Sequence, residues 1–345
     1  MTVALEGPQR LHATAPPEAD GRSRDDVRLL VASRHDGSLT HARFRDLPEH
    51  LEPGDLLVVN TSGTLPAALT ALRDDGSRLH VHVSTRAPHD DSGDLWVVEL
   101  RTPGGADPLG DGRAGERLHL PGDAALELVK PYDEHGRLWI AHVMAETWLP
   151  TLLSEHGTPI RYDYVPESWP IEDYQTVFAL HPGSAEMPSA ARPFTPELVT
   201  HLVAGGVLFA PILLHTGVSS PERHEEPYAE YFEVSAATTR TIDAVQDWGG
   251  RVIAVGTTVV RAIESVADDA GYLTPQAGWT NRIIDAERPP RVIDGLITGW
   301  HEPEASHLHM LEAIAGPELL QASYLEALAH GYHWHEFGDS HLILP

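Results

Sequence analysis

The rhythm of the chain changes part-way along, and that change constrains the fold more than any single motif. Between about Thr70 and Met144 short alternating apolar runs recur at Leu79–Val83, Leu95–Leu100, Leu118–Leu120, Ala125–Val129 and Leu138–Val143. Asp/Gly/Pro turns such as Asp74-Asp-Gly-Ser77 separate them. Short strands at this spacing predict a small antiparallel barrel. After Pro150 helix and strand alternate. Thr195-Pro196-Glu197 reads as an N-cap, a first-turn proline and an acidic second position, and Gly205-Gly206 closes that helix. Val207 to Leu214 is then a continuous apolar strand, expected to break at Pro211. Thr239, Ile242, Val245 and Trp248 recur at helical spacing until Gly249-Gly250. Val252 to Val255 reads as a buried strand of the parallel kind, and Pro317 to His330 as a final helix before a strand at His341–Leu344. Val27–Ala32 and Leu56–Val59 are further apolar strands, and the stretch before about Asp26 reads as loop. The expected architecture is mixed α/β: residues 1–69 and 151–345 form a large α/β domain, and residues 70–150 an inserted antiparallel β-barrel.

Composition narrows the chemistry. The 345 residues include no cysteine, which removes disulfides, thiolate metal sites and thiol nucleophiles together. Lys130 is the only lysine, so almost all positive charge is arginine and a phosphate-binding loop lacks its lysine. With 24 basic against 51 acidic residues the formal net charge is −27. Such a chain repels polyanions at a distance, which argues against a non-specific nucleic-acid binder but leaves room for a local arginine-lined groove. No apolar run is long enough to cross a bilayer and no basic-then-apolar leader opens the sequence, so no membrane partner and a cytoplasmic location are expected.

The strongest local signal is Val252-Ile-Ala-Val-Gly256-Thr257-Thr258-Val-Val-Arg261-Ala-Ile-Glu264-Ser265. A buried strand ends at a glycine, and two threonines open a helix where free backbone N–H groups and the positive dipole end meet. Hydroxyls of Thr257 and Thr258 can cap that helix or bind a ligand carboxylate or ribose. Arg261 and Glu264, one turn on, have the spacing of a surface ion pair. Among 22 histidines, His-x-His pairs occur at His80/His82, His307/His309 and His333/His335, each able to chelate a metal if it lies on a strand. A histidine-based metal hydrolase is therefore one reading. No His-Glu-x-x-His run completes it, although His224-Glu225, His301-Glu302 and His335-Glu336 begin like one. There is no nucleophile elbow. Gly104, Gly105 and Gly110 read as a hairpin loop. Tyr162, Tyr164, Trp169 and Tyr174 crowd one loop-like segment, fit either to stack a planar base or to plug an interdomain seam.

Several segments, in order, resemble the S-adenosylmethionine:tRNA ribosyltransferase-isomerase (QueA-like) family of queuosine biosynthesis. They are Glu52-Pro-Gly-Asp-Leu-Leu-Val-Val-Asn60-Thr61, Tyr174-Gln175-Thr176-Val-Phe-Ala, Arg251 through Ser265, Asp294-Gly-Leu-Ile-Thr298 with His301, and Phe337-Gly338-Asp339. The match runs from about residue 27 to the C-terminus. The resemblance implies the same architecture and a transferase and isomerase that uses S-adenosylmethionine as a ribosyl donor, with no metal. A base removes a proton from the 5′ carbon beside the sulfonium, the sugar ring opens and adenine leaves. The aminomethyl group of 7-aminomethyl-7-deazaguanine in a tRNA anticodon attacks the former anomeric carbon, and methionine departs.

Carried onto this sequence, the resemblance makes His215, Glu230 and Tyr174 the catalytic candidates. Glu230 falls in Tyr228-Ala-Glu-Tyr-Phe-Glu-Val234, where a solvated strand face is the competing reading. Gly256, Thr257, Thr258, Arg261, Asn60, Thr61, Gln175 and His301 are the candidates to hold the donor; Tyr174 and Gln175 are equally suited to locking the interdomain corner. The sequence also departs from the family pattern. Pro188-Ser-Ala-Ala-Arg192-Pro-Phe194 lacks the family's Gly and His, and His215-Thr-Gly217-Val-Ser-Ser-Pro221 keeps only its His and first Gly. The stretch after Asn60-Thr61 lacks two arginines, and Gly299 to Ser306 replaces another family segment. Fewer arginines and a net charge of −27 are what weakened phosphate binding would look like. Two acceptors therefore stand: tRNA, or a small molecule served by a divergent paralogue that uses or cleaves the same donor.

Overall fold

The computed structural model describes residues 11–90, 92–105, 107–133, 136–218, 228–301 and 307–345. In chain order the strands are β1 (Arg28–Ser33), β2 (Leu39–Arg43), β3 (Leu56–Asn60), β4 (Ser62–Thr64), β5 (Ala68–Arg73), β6 (Arg78–Arg86), β7 (Leu95–Arg101), β8 (Arg117–His119), β9 (Ala125–Pro131), β10 (Leu138–Met144), β11 (His181–Ser184), β12 (Leu208–Leu214), β13 (Glu230–Val234), β14 (Val252–Val255), β15 (Gln276–Thr280), β16 (Gly295–Gly299) and β17 (Ser340–Leu344). The helices are α1 (Leu149–His156), α2 (Pro196–Ala204), α3 (Ala236–Asp247), α4 (Thr257–Ser265), α5 (His307–Ala315) and α6 (Pro317–Ala329).

Among the described residues nine strands form one sheet in the order β15-β13-β12-β3-β14-β16-β17-β1-β2. Its centre, β12-β3-β14-β16, is parallel. Leu56–Val59 and Val252–Val255 are apolar on both faces because both faces are covered. One face carries Ile242, Val245, Val260, Ile263 and Leu311 from α3, α4 and α5. The other carries Phe44, Leu47, Phe194, Leu198 and Leu202.

The chain leaves β3, passes through β4 and closes a six-stranded barrel in the order β10-β7-β6-β5-β8-β9. It returns through α1, whose Leu149, Leu152 and Leu153 pack into the barrel core, and through β11, which pairs in parallel with β4. Strands entering and leaving the barrel thus meet as one ribbon beyond the carboxyl end of β3, an interior strand of the large sheet.

Two local expectations need correction. The run 207–214 does not break at Pro211; β12 continues through it. The Pro211 carbonyl accepts the Thr238 hydroxyl at 2.6 Å, so the edge lacking an N–H faces away from the parallel partner β3, before the pairing with β13 begins. The stretch before Asp26 holds two short 3-10 turns, Pro17–Asp20 and Arg24–Asp26. Arg192 fastens the first of them. It is 2% exposed, pairs with Glu18 at 2.9 Å, donates to the Asp173 carbonyl at 2.9 Å and lies over the Phe337 ring at 4.9 Å. The arginine of the divergent Pro188–Phe194 segment is therefore an internal clamp.

Candidate active site

The family-like segments converge because β3, β14 and β16 are neighbours. At the start of these strands Asp55, 2% exposed, accepts Arg251 Nε at 2.9 Å, and Asp294 accepts the Val252 N–H at 2.8 Å. These two carboxylates fasten the ends of the strands opposite to the cavity. At the other end, where all four central strands point their carboxyl termini, lies a cavity of about 540 Å³. Crevices at that end are where open parallel sheets bind ligands.

Gly256 is its hinge. Its φ of 97° favours glycine, and its N–H is spent on the Ile297 carbonyl at 2.8 Å. The N-cap has no side-chain partner, so neither Thr257 nor Thr258 caps α4. The Val259 N–H bonds the Gly256 carbonyl at 3.1 Å, which leaves the Thr257 and Thr258 N–H groups, beyond reach of any helical carbonyl, on the stretch Gly256–Thr258 that lines the cavity. Thr258 is held from behind by Asn60, which is fully buried. Asn60 accepts the Leu214 and Ser62 N–H groups at 3.0 Å and lies 3.5 Å from the Thr258 hydroxyl.

Arg261 and Glu264 do not pair as their spacing suggested. Arg261 ion-pairs with Glu230 and donates to the carbonyls of Tyr228, Thr280 and Arg282 at 3.2–3.3 Å. Glu264 is 0% exposed and accepts the backbone N–H groups of Arg291, Val292 and Ile293. One bracket ties α4 to β13 and β15; the other ties it to the loop before β16. Glu230, half-buried rather than on a solvated face, also accepts the Gly217 N–H at 3.0 Å. Arg282 differs. It lines the cavity, and its Nε is buried with no acceptor among the described residues.

Tyr174, Glu230, Gly256, Thr257, Thr258, Arg261 and His301 all line the cavity; His215, Asn60, Thr61 and Gln175 do not. His215 lies behind the wall, its Nδ1 2.7 Å from the Ser62 hydroxyl, which in turn meets the Ser184 hydroxyl at 2.6 Å. Burial, reinforced by His181 and Arg86, lowers its pKa to about 4. Thr61 donates to the Ile212 carbonyl at 2.9 Å. Gln175 brackets Thr64, accepting its N–H at 3.0 Å and donating to its carbonyl at 2.8 Å. It locks the corner between barrel and sheet. Tyr174 is 4% exposed and packs on Phe337 with ring centroids 5.2 Å apart, and burial pushes its phenol upward. His301 accepts or donates to Thr298 Oγ1 at 3.1 Å and stacks on His307 at 4.7 Å. Burial, with His307 and His335 nearby, holds its pKa well below the ordinary value and keeps the imidazole neutral.

The histidine pairs do not assemble a metal site among the described residues. His307 and His309 lie on α5, where a two-residue spacing diverges, and burial beside Arg101 drives the pKa of His82 down to about 3. The cluster His41, Glu326 and His330 has ligand spacing, but it lies outside the cavity beside Arg28 and Arg43, whose charge disfavours a cation. His224-Glu225 lies outside the described residues, as does Glu302 of His301-Glu302.

Residues 4–343 match the family model described as queuosine biosynthesis protein. The chain belongs to this family. It is 37% identical to the S-adenosylmethionine:tRNA ribosyltransferase-isomerase of Symbiobacterium thermophilum, over 98% of this chain and 97% of that one. With the protein of the same name from Heliobacterium modesticaldum it shares 36% identity over the full length of both. The crystal structure of S-adenosylmethionine tRNA ribosyltransferase from Thermotoga maritima superposes with a TM-score of 0.56, at 27% identity and full coverage of both chains. The folded chain adds Arg282 and Glu186, which the sequence did not single out, to the cavity lining, together with His335 and Glu336. Only His335-Glu336 had drawn attention, as the start of a metal motif. The divergent segments after Val218 and after His301 lie in part outside the described residues.

Proposed function

We propose that this protein is an S-adenosylmethionine-dependent tRNA ribosyltransferase-isomerase of queuosine biosynthesis, acting in the cytoplasm, and that the cavity beyond β14 holds the donor. The observation that carries the reading is a pair of donor groups in the lining of one cavity: the first residues of α4, Thr257 and Thr258, at an N-terminus with no side-chain cap, and Arg282, whose Nε has no acceptor among the described residues. Together they form an anion site suited to the donor's carboxylate. The donor's sulfonium supplies the electrophilic activation. Arg261 and Glu230, neutralised by each other, hold Tyr228 and Gly217 at the cavity wall. His301 lines the cavity with its ring 3.1 Å from Thr298 Oγ1 and contacts the donor; a pKa held well below the ordinary value makes it a weak proton acceptor. His215 supports the wall from behind through Ser62. Tyr174 closes the apolar side of the site. The shared name of the relatives supports tRNA over a small-molecule acceptor. Among the described residues no helix is long and apolar enough to cross a membrane.

The test is incubation of the purified protein with S-adenosylmethionine alone, with unmodified tRNA, and with tRNA carrying 7-aminomethyl-7-deazaguanine. Adenine, methionine and tRNA mass are followed by mass spectrometry. Adenine and methionine release that needs the modified tRNA, with a matching gain in tRNA mass, is the expected outcome. Release without tRNA would point instead to donor cleavage, and no release at all would overturn the reading.

A further inference from the structure

Part of the cavity lining is built from flat rings and carboxylates. Tyr164 stacks on His335 with centroids 4.1 Å apart and planes at 13°, and Tyr162 continues the column at 5.8 Å and 22°. Each tyrosine hydroxyl ends on an acid: Tyr162 donates to Glu186, and Tyr164 donates to Glu336 Oε2 at 2.8 Å. All five side chains line the cavity. A phenol donor orients a carboxylate, and the rings of the column face one another with His12 edge-on to Tyr164 and His335, so the stacking surface this wall offers is at the ends of the column, on Tyr162 and His335, beside two carboxyl groups.

That combination discriminates between purines. The edge of a guanine-type base presents N–H donors, including the exocyclic amine, and a carboxylate accepts them; adenine interrupts its edge with ring-nitrogen acceptors. Bases read one at a time from RNA are splayed out, stacked on aromatic rings and bonded along their edges. An aminomethyl arm adds a cation for the second carboxylate. Glu186 is linked to α4 through its neighbours. Its carbonyl accepts the Thr216 hydroxyl at 2.6 Å, and the next residue, Gly217, is held by Glu230 and through it by Arg261 of α4.

We infer that Tyr162, Tyr164 and His335 form the acceptor-base subsite, with Glu336 on the donor edge of a 7-deazaguanine and Glu186 on its aminomethyl arm. The inference rests on the proposed function and specifies where its acceptor sits. Glu186 takes the proton that the ammonium must lose, and the freed nitrogen lone pair then attacks the former anomeric carbon, which ring opening and adenine departure have left as an aldehyde carbon, so that its C=O π pair moves onto oxygen.

The test uses free 7-aminomethyl-7-deazaguanine as probe, titrated calorimetrically into the full-length protein saturated with S-adenosylmethionine. Glu186→Gln and Glu336→Gln are compared with wild type, each checked by thermal melting. The two acids lie on separate segments, so misfolding of one variant leaves the other informative. Each variant is expected to bind the base at least tenfold more weakly while S-adenosylmethionine affinity stays within twofold. Glu186→Gln should in addition move the pH dependence of transfer, which a purely structural role would not do. Unchanged base affinity in both variants would overturn the inference. So would a loss confined to S-adenosylmethionine, or a wild-type protein that does not bind the base. Wild type that binds the base yet transfers nothing to tRNA would overturn the proposed function and leave the subsite standing.

Discussion

In the barrel, Glu99 is 1% exposed and meets Arg137 at 2.8 Å and Arg101 at 3.0 Å, with the neutral His82 at 3.7 Å. At the mouth of α4, the first-turn N–H groups have no cap and the Arg282 Nε has no acceptor. Both regions take charged or donor groups out of water, but only around Glu99 does the protein supply the partners. Buried charges that are fully paired act as architecture, whereas a buried arginine donor left without a partner beside a cavity is a place for a ligand to complete the set. The same contrast divides the site. Arg261, Glu264, Asn60 and Gln175 are all engaged by the protein itself, whereas among the described residues Arg282 lines the cavity with an Nε that has no acceptor.

Breaking the paired side should give the largest effect. Glu99→Ala strands Arg101 and Arg137 in the barrel and is expected to cost about 3–5 kcal/mol. Denaturant unfolding measures it; a loss below about 1 kcal/mol would show that the network is dispensable. Next comes the wall behind the cavity. A side-chain carbon on Gly183 would lie 2.3 Å from the His215 ring. Gly183→Ala should therefore destabilise by roughly 1–3 kcal/mol through the displaced imidazole, and lower turnover as the Ser62 contact is lost. Turnover and melting temperature both at wild-type values would contradict the packing described.

The smallest effect concerns pH. His341 is fully buried, neither ring nitrogen has a partner among the described residues, and burial lowers its pKa to about 3. The unfolded chain takes up a proton near pH 6.5 while the folded one does not. Stability attached to the neutral ring is thus present above about 6.5 and is lost as pH falls toward 3. His341→Leu should flatten the fall of melting temperature between pH 6.5 and pH 4. An identical slope would mean that other groups carry the acid sensitivity.

Much of the architecture could be read from periodicity. Alternating runs gave the barrel strands, and two-sided apolar runs gave the parallel strands, because burial leaves that pattern directly. The strand Ala68–Arg73 escaped notice since only three of its residues face the interior, and Glu230 was open to being read as solvated because its partner lies 31 residues away. The Gly256-Thr257-Thr258 turn was legible as a helix start, since a strand ending at glycine leaves few alternatives. Roles within the site were harder to see. Arg261 matched Glu264 by spacing, but tertiary packing gave it Glu230 instead. His215 kept a family position yet faces away from the cavity. Glu186 and Glu336 sit in loops with no periodic signature, and only the folded chain brings them onto one wall.

The central claim is that the open donors at α4 belong to the S-adenosylmethionine carboxylate. Calorimetric titration of S-adenosylmethionine into wild type and Arg282→Met tests it most directly. The account predicts saturable binding by wild type, at least tenfold weaker in the variant, with melting temperature unchanged because Arg282 Nε satisfies nothing within the fold. Equal affinity in the two proteins would contradict it.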